Sequence, residues 1–386
     1  MPSGARRFRF GLSAVGILIG VGLLLLILPK FNLPEAWRQV TALSPQRLLL
    51  PLLISLVTIP VRPLRWQWMF SREHRPSFSL ATRAFYISLL VNNLLPARGG
   101  DVLRCFLVGQ DPSLRNASRV LGTLGVEKAL DGIALLFVVT LSLVFLDLAP
   151  WLERLAALSG LVLCGGSLML WSLQRRPDVF RRLVLTCCRF VRKPALGKKI
   201  ELLFASFAEG LSAVGSVRKM AALVVLTAVL WGLEGALVWA LAAAMGVPLS
   251  LAGGALVVAV LGLGMMVPAA PGFVGTYEFF ATAILTALGA TPDSALALTL
   301  LMHAWFLLVT TGVGAAALAG SGIGLSRAFA ARATSSVRER EAEEYCDRNL
   351  TGRPGVLASS RHRDLPASKA TESPADRAHS TPATKR

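Results

Sequence analysis

Residues 265–280 read MMVPAAPGFVGTYEFF, and the way this stretch is read decides the fold. It lies inside an apolar run from Leu249 to Leu288 that contains no Lys, Arg or Asp and could have formed one continuous helix. Pro268, Pro271, Gly272 and Gly275 oppose that. A proline removes a backbone donor and clashes with the preceding turn, and glycine weakens a helix interior. Two prolines and two glycines in the stretch 268–275 therefore leave several carbonyls and amides free, with Glu278 just beyond them.

The composition says where this broken run resides. At 386 residues, 54% hydrophobic, 16% charged and a mean hydropathy of +0.60, the chain has too little polar surface to wet the outside of a soluble domain, so it belongs in a bilayer. Its apolar blocks have the length a helix needs to cross a hydrocarbon core of about 30 Å. Full spans are expected near 10–28, 47–66, 120–146, 153–173, 220–245 and 296–320, with two broken segments near 79–96 and 250–289. The expected class is thus all-α: a polytopic transmembrane helix bundle with about six full spans. At membrane depth, backbone without internal hydrogen bonds is tolerated only where it is buried in protein or lines a wet cavity. The break at 268–275 is then either a site or a loop between two short helices.

The net charge of +18 resides in Lys and Arg between the apolar blocks rather than along one amphipathic face. These residues read as topology signals with anionic lipid as their partner, and no nucleic acid is expected. Five cysteines show no metal spacing and no even framework, so free thiols are expected, with no metal and no cofactor. Arg6, Arg7 and Arg9 precede the first apolar run, and no small-x-small cleavage site follows at Leu28-Pro29-Lys30, which favours an uncleaved first helix.

Charge bias also constrains how the chain threads the membrane. The N-terminus is inside, the linker 29–46 outside, and 62–83, with Arg62, Arg65, Arg72, Arg75 and Arg83, inside. The linker 97–119 is basic as well (Arg98, Arg104, Arg115, Arg119), so the stretch 79–96 between two inside loops cannot cross an odd number of times. It must dip in and return. The segment 147–152 is then outside, and 174–219, with eleven Lys or Arg against Asp178, Glu201 and Glu209, is cytoplasmic. The tail after Gly324 is inside only if 250–289 also enters and leaves by one face. Two re-entrant elements and two cytoplasmic termini follow. The transmembrane domain occupies 1–325, and the tail 326–386, almost free of aromatics, is expected to be disordered and cytoplasmic.

The two broken segments share a pattern. Pro96-Ala97-x-x-Gly100 matches Pro268-Ala269-x-x-Gly272, and corresponding interruptions in two halves point to an inverted repeat with a site near its interface. Free amides at the start of each following half-helix suit a phosphate or carboxylate. Nearby ionisable residues agree. Glu127 and Asp131 share a helix face, with Lys128 about 100° away from it, and Arg98 and Arg104 are their expected partners, either as a site or as a structural ion-pair cluster. Arg62 and Arg65 could hold lipid phosphates or simply snorkel, with Trp66 and Trp68 at the interface. Glu234 needs a partner the sequence does not name, and His303 stands alone as a packing histidine.

With those residues in hand, the chain resembles the lysylphosphatidylglycerol synthase transmembrane-region family, also called flippase-like membrane proteins, over about residues 10–325. The likeness rests on RPLRW (62–66), NNLLPARGGDVLR (92–104), EKALDG (127–132) and PAAPGFVGTYE (268–278), with Asp101 where a Glu is more usual. The resemblance implies a multi-pass protein of the bacterial inner membrane that moves lipids or lipid-linked precursors between leaflets. It also implies that the soluble aminoacyl-transfer domain of the two-part synthases is absent here.

The leading expectation is a transporter rather than an enzyme, with no catalytic residues. Its substrate-binding residues are Arg62, Arg65, Asn93, Pro96, Arg98, Gly100, Asp101, Arg104, Glu127, Lys128, Asp131, Pro268, Pro271, Gly272, Gly275 and Glu278. Its partner is an anionic phospholipid or lipid-linked substrate. The alternatives are a membrane transferase acting on a lipid-linked substrate, with Asp101 or Glu278 as base, and a non-transporting partner of a separate glycosyltransferase or lipid-modifying enzyme.

Overall fold

The computed structural model describes residues 17–26, 32–95, 99–109, 117–146, 150, 152–154, 157–162, 164–165, 216–266 and 270–321. The tail 326–386, most of the span expected at 153–173, the basic loop through residue 215, and Pro96, Arg98 and Pro268 lie outside these residues. Among the described residues there is no strand. In chain order the helices are α1 (Ile17–Leu26), α2 (Leu33–Thr41), α3 (Leu49–Trp68), α4 (Phe78–Leu94), α5 (Gly99–Gly109), α6 (Ala117–Phe145), α7 (Val217–Met245), α8 (Leu251–Gly264), α9 (Thr276–Ala287) and α10 (Pro292–Ala319).

Among the described residues, three stretches are long and apolar enough to cross a membrane: Pro45–Trp68, Val217–Met245 and Pro292–Ala319. They fall on the expected spans 47–66, 220–245 and 296–320. The expected span 120–146 is one helix of 29 residues, α6, which carries Glu127, Lys128 and Asp131. The outer faces of these helices are greasy. Leu49, Leu50, Leu52, Leu53, Leu56 and Val57 of α3 and Val224, Val225 and Val229 of α7 are exposed, a surface that only lipid covers without cost. The chain is a multi-pass membrane protein.

The sequence sets most helix ends locally. Ser77, Ser216, Ser250 and Thr291 are N-caps whose side chains accept from a backbone N–H three residues on. Gly246, at φ 72°, ends α7 in the left-handed region and lets α8 begin after a short turn. α3 runs through Pro60 and Pro63 without stopping. Pro63 cannot donate to the carbonyl of Ile59, one turn back, and the Tyr86 hydroxyl of α4 donates to that oxygen instead at 2.8 Å. A helix carbonyl orphaned at membrane depth is thereby satisfied by its neighbour.

Packing divides the described interior into two large apolar clusters. One joins α3, α4, α5 and α6 around Trp66, Met69, Phe85 and Leu103. The other joins α6, α7, α8, α9 and α10 around Leu135, Leu241, Leu256, Ile284 and Leu298. The first segment, expected to break within 79–96, is one unbroken helix, α4, and the helix packed back on it, α5, lies in the stretch 97–119 read as a linker; the second segment is two helices, α8 and α9, packed on one another. A Cβ on Gly100 of α5 would meet the carbonyl oxygen of Ser88 in α4, and the Arg104 guanidinium sits over the Phe85 ring, so α5 runs back along α4. In the second segment, Gly264 of α8 abuts the Phe280 ring of α9.

Candidate functional site

The described charged side chains within the bundle find partners there. Arg65 of α3 is 3% exposed, so it does not snorkel; it forms a two-pronged contact with Asp131 of α6, Nη1 to Oδ1 at 2.5 Å and Nη2 to Oδ2 at 3.3 Å. It also lies 3.6 Å from Glu127 and donates to Thr227 of α7. Arg104 of α5 donates to Glu127 at 2.6 Å, and its guanidinium is held between the rings of Trp66 and Phe85 at 4.5 and 4.8 Å. Trp231 of α7 donates to Asp131 at 3.1 Å. The half-exposed Lys128 reaches Asp101 at 3.8 Å. These contacts tie α3, α5, α6 and α7 together. Trp66, expected at the interface, is fully buried and donates to Thr123.

Described residues on the two broken segments, Asn93 and Gly272, come together beside α10. Asn93, at the end of α4, donates to Thr310 and Thr311 at 2.9 and 3.1 Å. Its carbonyl oxygen lies 3.5 Å from where a Cβ on Gly272 would be. Next to it Asn92 accepts from the Gly100 N–H at 2.8 Å and fastens the end of α4 to the start of α5. In the second break residues 270–273 form a tight turn closed by the Phe273 N–H on the Ala270 carbonyl at 3.0 Å, with Gly272 at φ 63° and Phe273 at φ 62°, followed by Gly275 at φ 87°. Glu278 accepts from the Gly275 N–H at 2.6 Å, and His303 of α10 contacts both Glu278 and the Gly272 carbonyl, at 2.6 and 2.7 Å. His303 is thus not the lone packing residue the sequence suggested. The signal was available: Glu278 and His303 are ionisable residues in apolar stretches of two neighbouring helices, and each needs a partner.

A partly open cavity of about 140 Å³ lies between the two apolar clusters. α3, α4, α7, α8, α9 and α10 all contribute to its wall. The wall is aliphatic and aromatic except for the hydroxyls of Ser55, Thr58, Tyr86, Tyr277 and Thr310 and one ion pair, Arg62 with Glu234. That pair supplies the partner for Glu234 that the sequence leaves open. Thr310 both lines the cavity and holds Asn93, so the end of α4 is tied to its wall. Of the candidate binding residues, Arg62 reaches the cavity. Arg65, Arg104, Glu127 and Asp131 are at most 9% exposed and engaged with one another. Chemically, the cavity offers one exchangeable cation, one exchangeable anion and aromatic surface.

The model of the family described as the lysylphosphatidylglycerol synthase TM region matches residues 13–314, the membrane part of the chain. No curated protein and no solved structure matches the chain.

Proposed function

The chain belongs to the lysylphosphatidylglycerol synthase transmembrane-region family, and from that premise we propose that it moves a lipid or lipid-linked precursor between leaflets, receiving the anionic headgroup in the Arg62 cavity. The observation that carries the reading is the ion pair on the cavity wall. Breaking a partly buried pair costs several kcal/mol unless both released charges are compensated, so a phosphate takes Arg62 while Glu234 takes up a proton or accepts from a hydroxyl of the headgroup. The aliphatic and aromatic remainder of the wall suits the start of an acyl or polyprenyl chain. The two broken segments serve as re-entrant elements of an inverted repeat within a six-span bundle, with both termini cytoplasmic in the inner membrane. Their breaks supply backbone that can rearrange beside the cavity. Arg65, Arg104, Glu127 and Asp131 act by locking the helices that form the cavity.

Arg62→Gln/Glu234→Gln removes both charges together and keeps amide hydrogen bonding, so the fold is expected to stand. In proteoliposomes, a leaflet-resolved assay with a fluorescent anionic lipid should show transfer by the natural protein and a loss of roughly tenfold to a hundredfold in the double variant, the loss of one charge-assisted hydrogen bond. Transfer at the natural rate by the double variant, or no transfer above empty vesicles by the natural protein, overturns the reading.

A further inference from the structure

The Glu278–His303 pair has no part in headgroup binding as proposed above, yet it holds Gly272 and Gly275 of the second break. His303 faces the Gly272 carbonyl through Nε2 at 2.7 Å, and a carbonyl oxygen only accepts, so Nε2 carries a hydrogen. On the other side of the ring, Nδ1 and Glu278 Oε1 stand 2.6 Å apart, a separation that requires one proton between them. Glu278 Oε2 takes the Gly275 N–H at 2.6 Å. Carboxylate with imidazolium, or carboxylic acid with neutral imidazole, holds the same number of protons. The arrangement is therefore a site for a single proton, buried to 7% exposure at Glu278 and 5% at His303.

We propose that this pair is a proton-binding site whose occupancy sets the conformation of the second break. With the proton lost, the neutral imidazole has one N–H for two acceptors, the Glu278 carboxylate and the Gly272 carbonyl, so one of its two contacts opens. What the contact restrains is under tension: Phe273, a bulky residue at φ 62°, persists in the left-handed region only while its surroundings hold it there. Release of His303 from Gly272, or of Glu278 from Gly275, removes one end of the clamp.

The surroundings leave the pair in control of its own charge. Tyr277, next to Glu278 on α9, stacks on the imidazole at 4.3 Å and lines the cavity, so one ring separates the pair from that space. Glu234 of α7 and Arg62 of α3 neutralise each other on the cavity wall, and Tyr86 of α4 completes the titratable groups there. α8 and the described part of α1 carry no titratable side chain, and Asp293, the other one on α10, lies at that helix's first turn.

The test uses the full chain in lipid nanodiscs and needs no transport measurement, so its failure is distinct from failure of the transport reading. With ¹⁵N-imidazole labelling, the protein's four histidines give few resonances, and His303→Gln assigns the one of interest. That resonance should pass from two ring N–H protons to one as the pH rises. Reactivity of Val274→Cys toward a maleimide, read by peptide mass spectrometry and normalised to the exposed native Cys164, should rise about tenfold or more over the same pH interval, the effect of losing one charge-assisted hydrogen bond. Glu278→Gln reproduces the one-proton arrangement, its amide donating to Nδ1 and accepting from Gly275, and its reactivity should stay low and flat with pH. A His303 resonance that does not titrate, a Val274→Cys reactivity that ignores its titration, or a Glu278→Gln profile like that of the natural protein each overturns the proposal. The wild-type resonance and the Val274→Cys profile decide it even where Glu278→Gln fails to fold.

Discussion

Gly275→Ala is expected to remove most of the folded protein, although it changes one hydrogen to a methyl. Gly275 sits at φ 87° and ψ −49°, where a side chain costs about 1–3 kcal/mol in backbone strain alone. The added Cβ would also lie 1.9 Å from the carbonyl oxygen of Gly20 in α1, a backbone atom that cannot swing aside. α1 and the second break must then separate, and with them the anchoring of Glu278. Gly100→Ala should fail in the same way, because its Cβ would lie 1.9 Å from the Ser88 carbonyl oxygen. Gly132→Ala in α6 is the control: nothing lies within 4 Å, and alanine favours a helix by about 1 kcal/mol over glycine, so stability should hold or rise. Size-exclusion yield and thermal unfolding in detergent report all three. A Gly275→Ala protein as stable as Gly132→Ala contradicts the packing of α1 on the break.

The second large effect is expected at Arg104. Arg104→Ala leaves Glu127 buried with Arg65 at 3.6 Å as its nearest cation, and loss of one member of a buried pair costs about 3–5 kcal/mol. Arg104→Lys should recover only part of this, since an ammonium cannot stack flat between Trp66 and Phe85. Replacing both members, Arg104→Met with Glu127→Met, should restore much of the stability. Thermal unfolding of the three variants checks the order. An Arg104→Ala protein of undiminished stability would return Arg104 to the list of residues free to meet a substrate.

The sequence made the break at 268–275 legible because proline and glycine act on the backbone wherever the chain goes. Three spans were legible for a similar reason: length and apolarity need no tertiary partner. Arg104 was paired with Glu127 in advance, since the two flank one loop. Arg65 with Asp131 and Arg62 with Glu234 were not, because those pairs span 66 and 172 residues and exist only once α3 packs on α6 and α7. One rule would have narrowed the search. Every ionisable residue in an apolar segment needs a partner, and Arg62, Glu234, Glu278 and His303 were left over together. The glycines of the repeated Pro-Ala-x-x-Gly pattern show a limit of motif matching. Gly100 is needed for close approach to α4 and Gly272 for a positive φ, so matching letters answer different demands.

The most direct test of headgroup binding in the cavity is photo-crosslinking of the reconstituted protein with an anionic lipid carrying a photoreactive group at its headgroup, mapped by peptide mass spectrometry. Binding as proposed predicts adducts on Ser55, Thr58, Trp231 and Trp305, reduced in Arg62→Gln/Glu234→Gln. Adducts confined to the exposed outer faces of α3 and α7, and unchanged in the double variant, would contradict it.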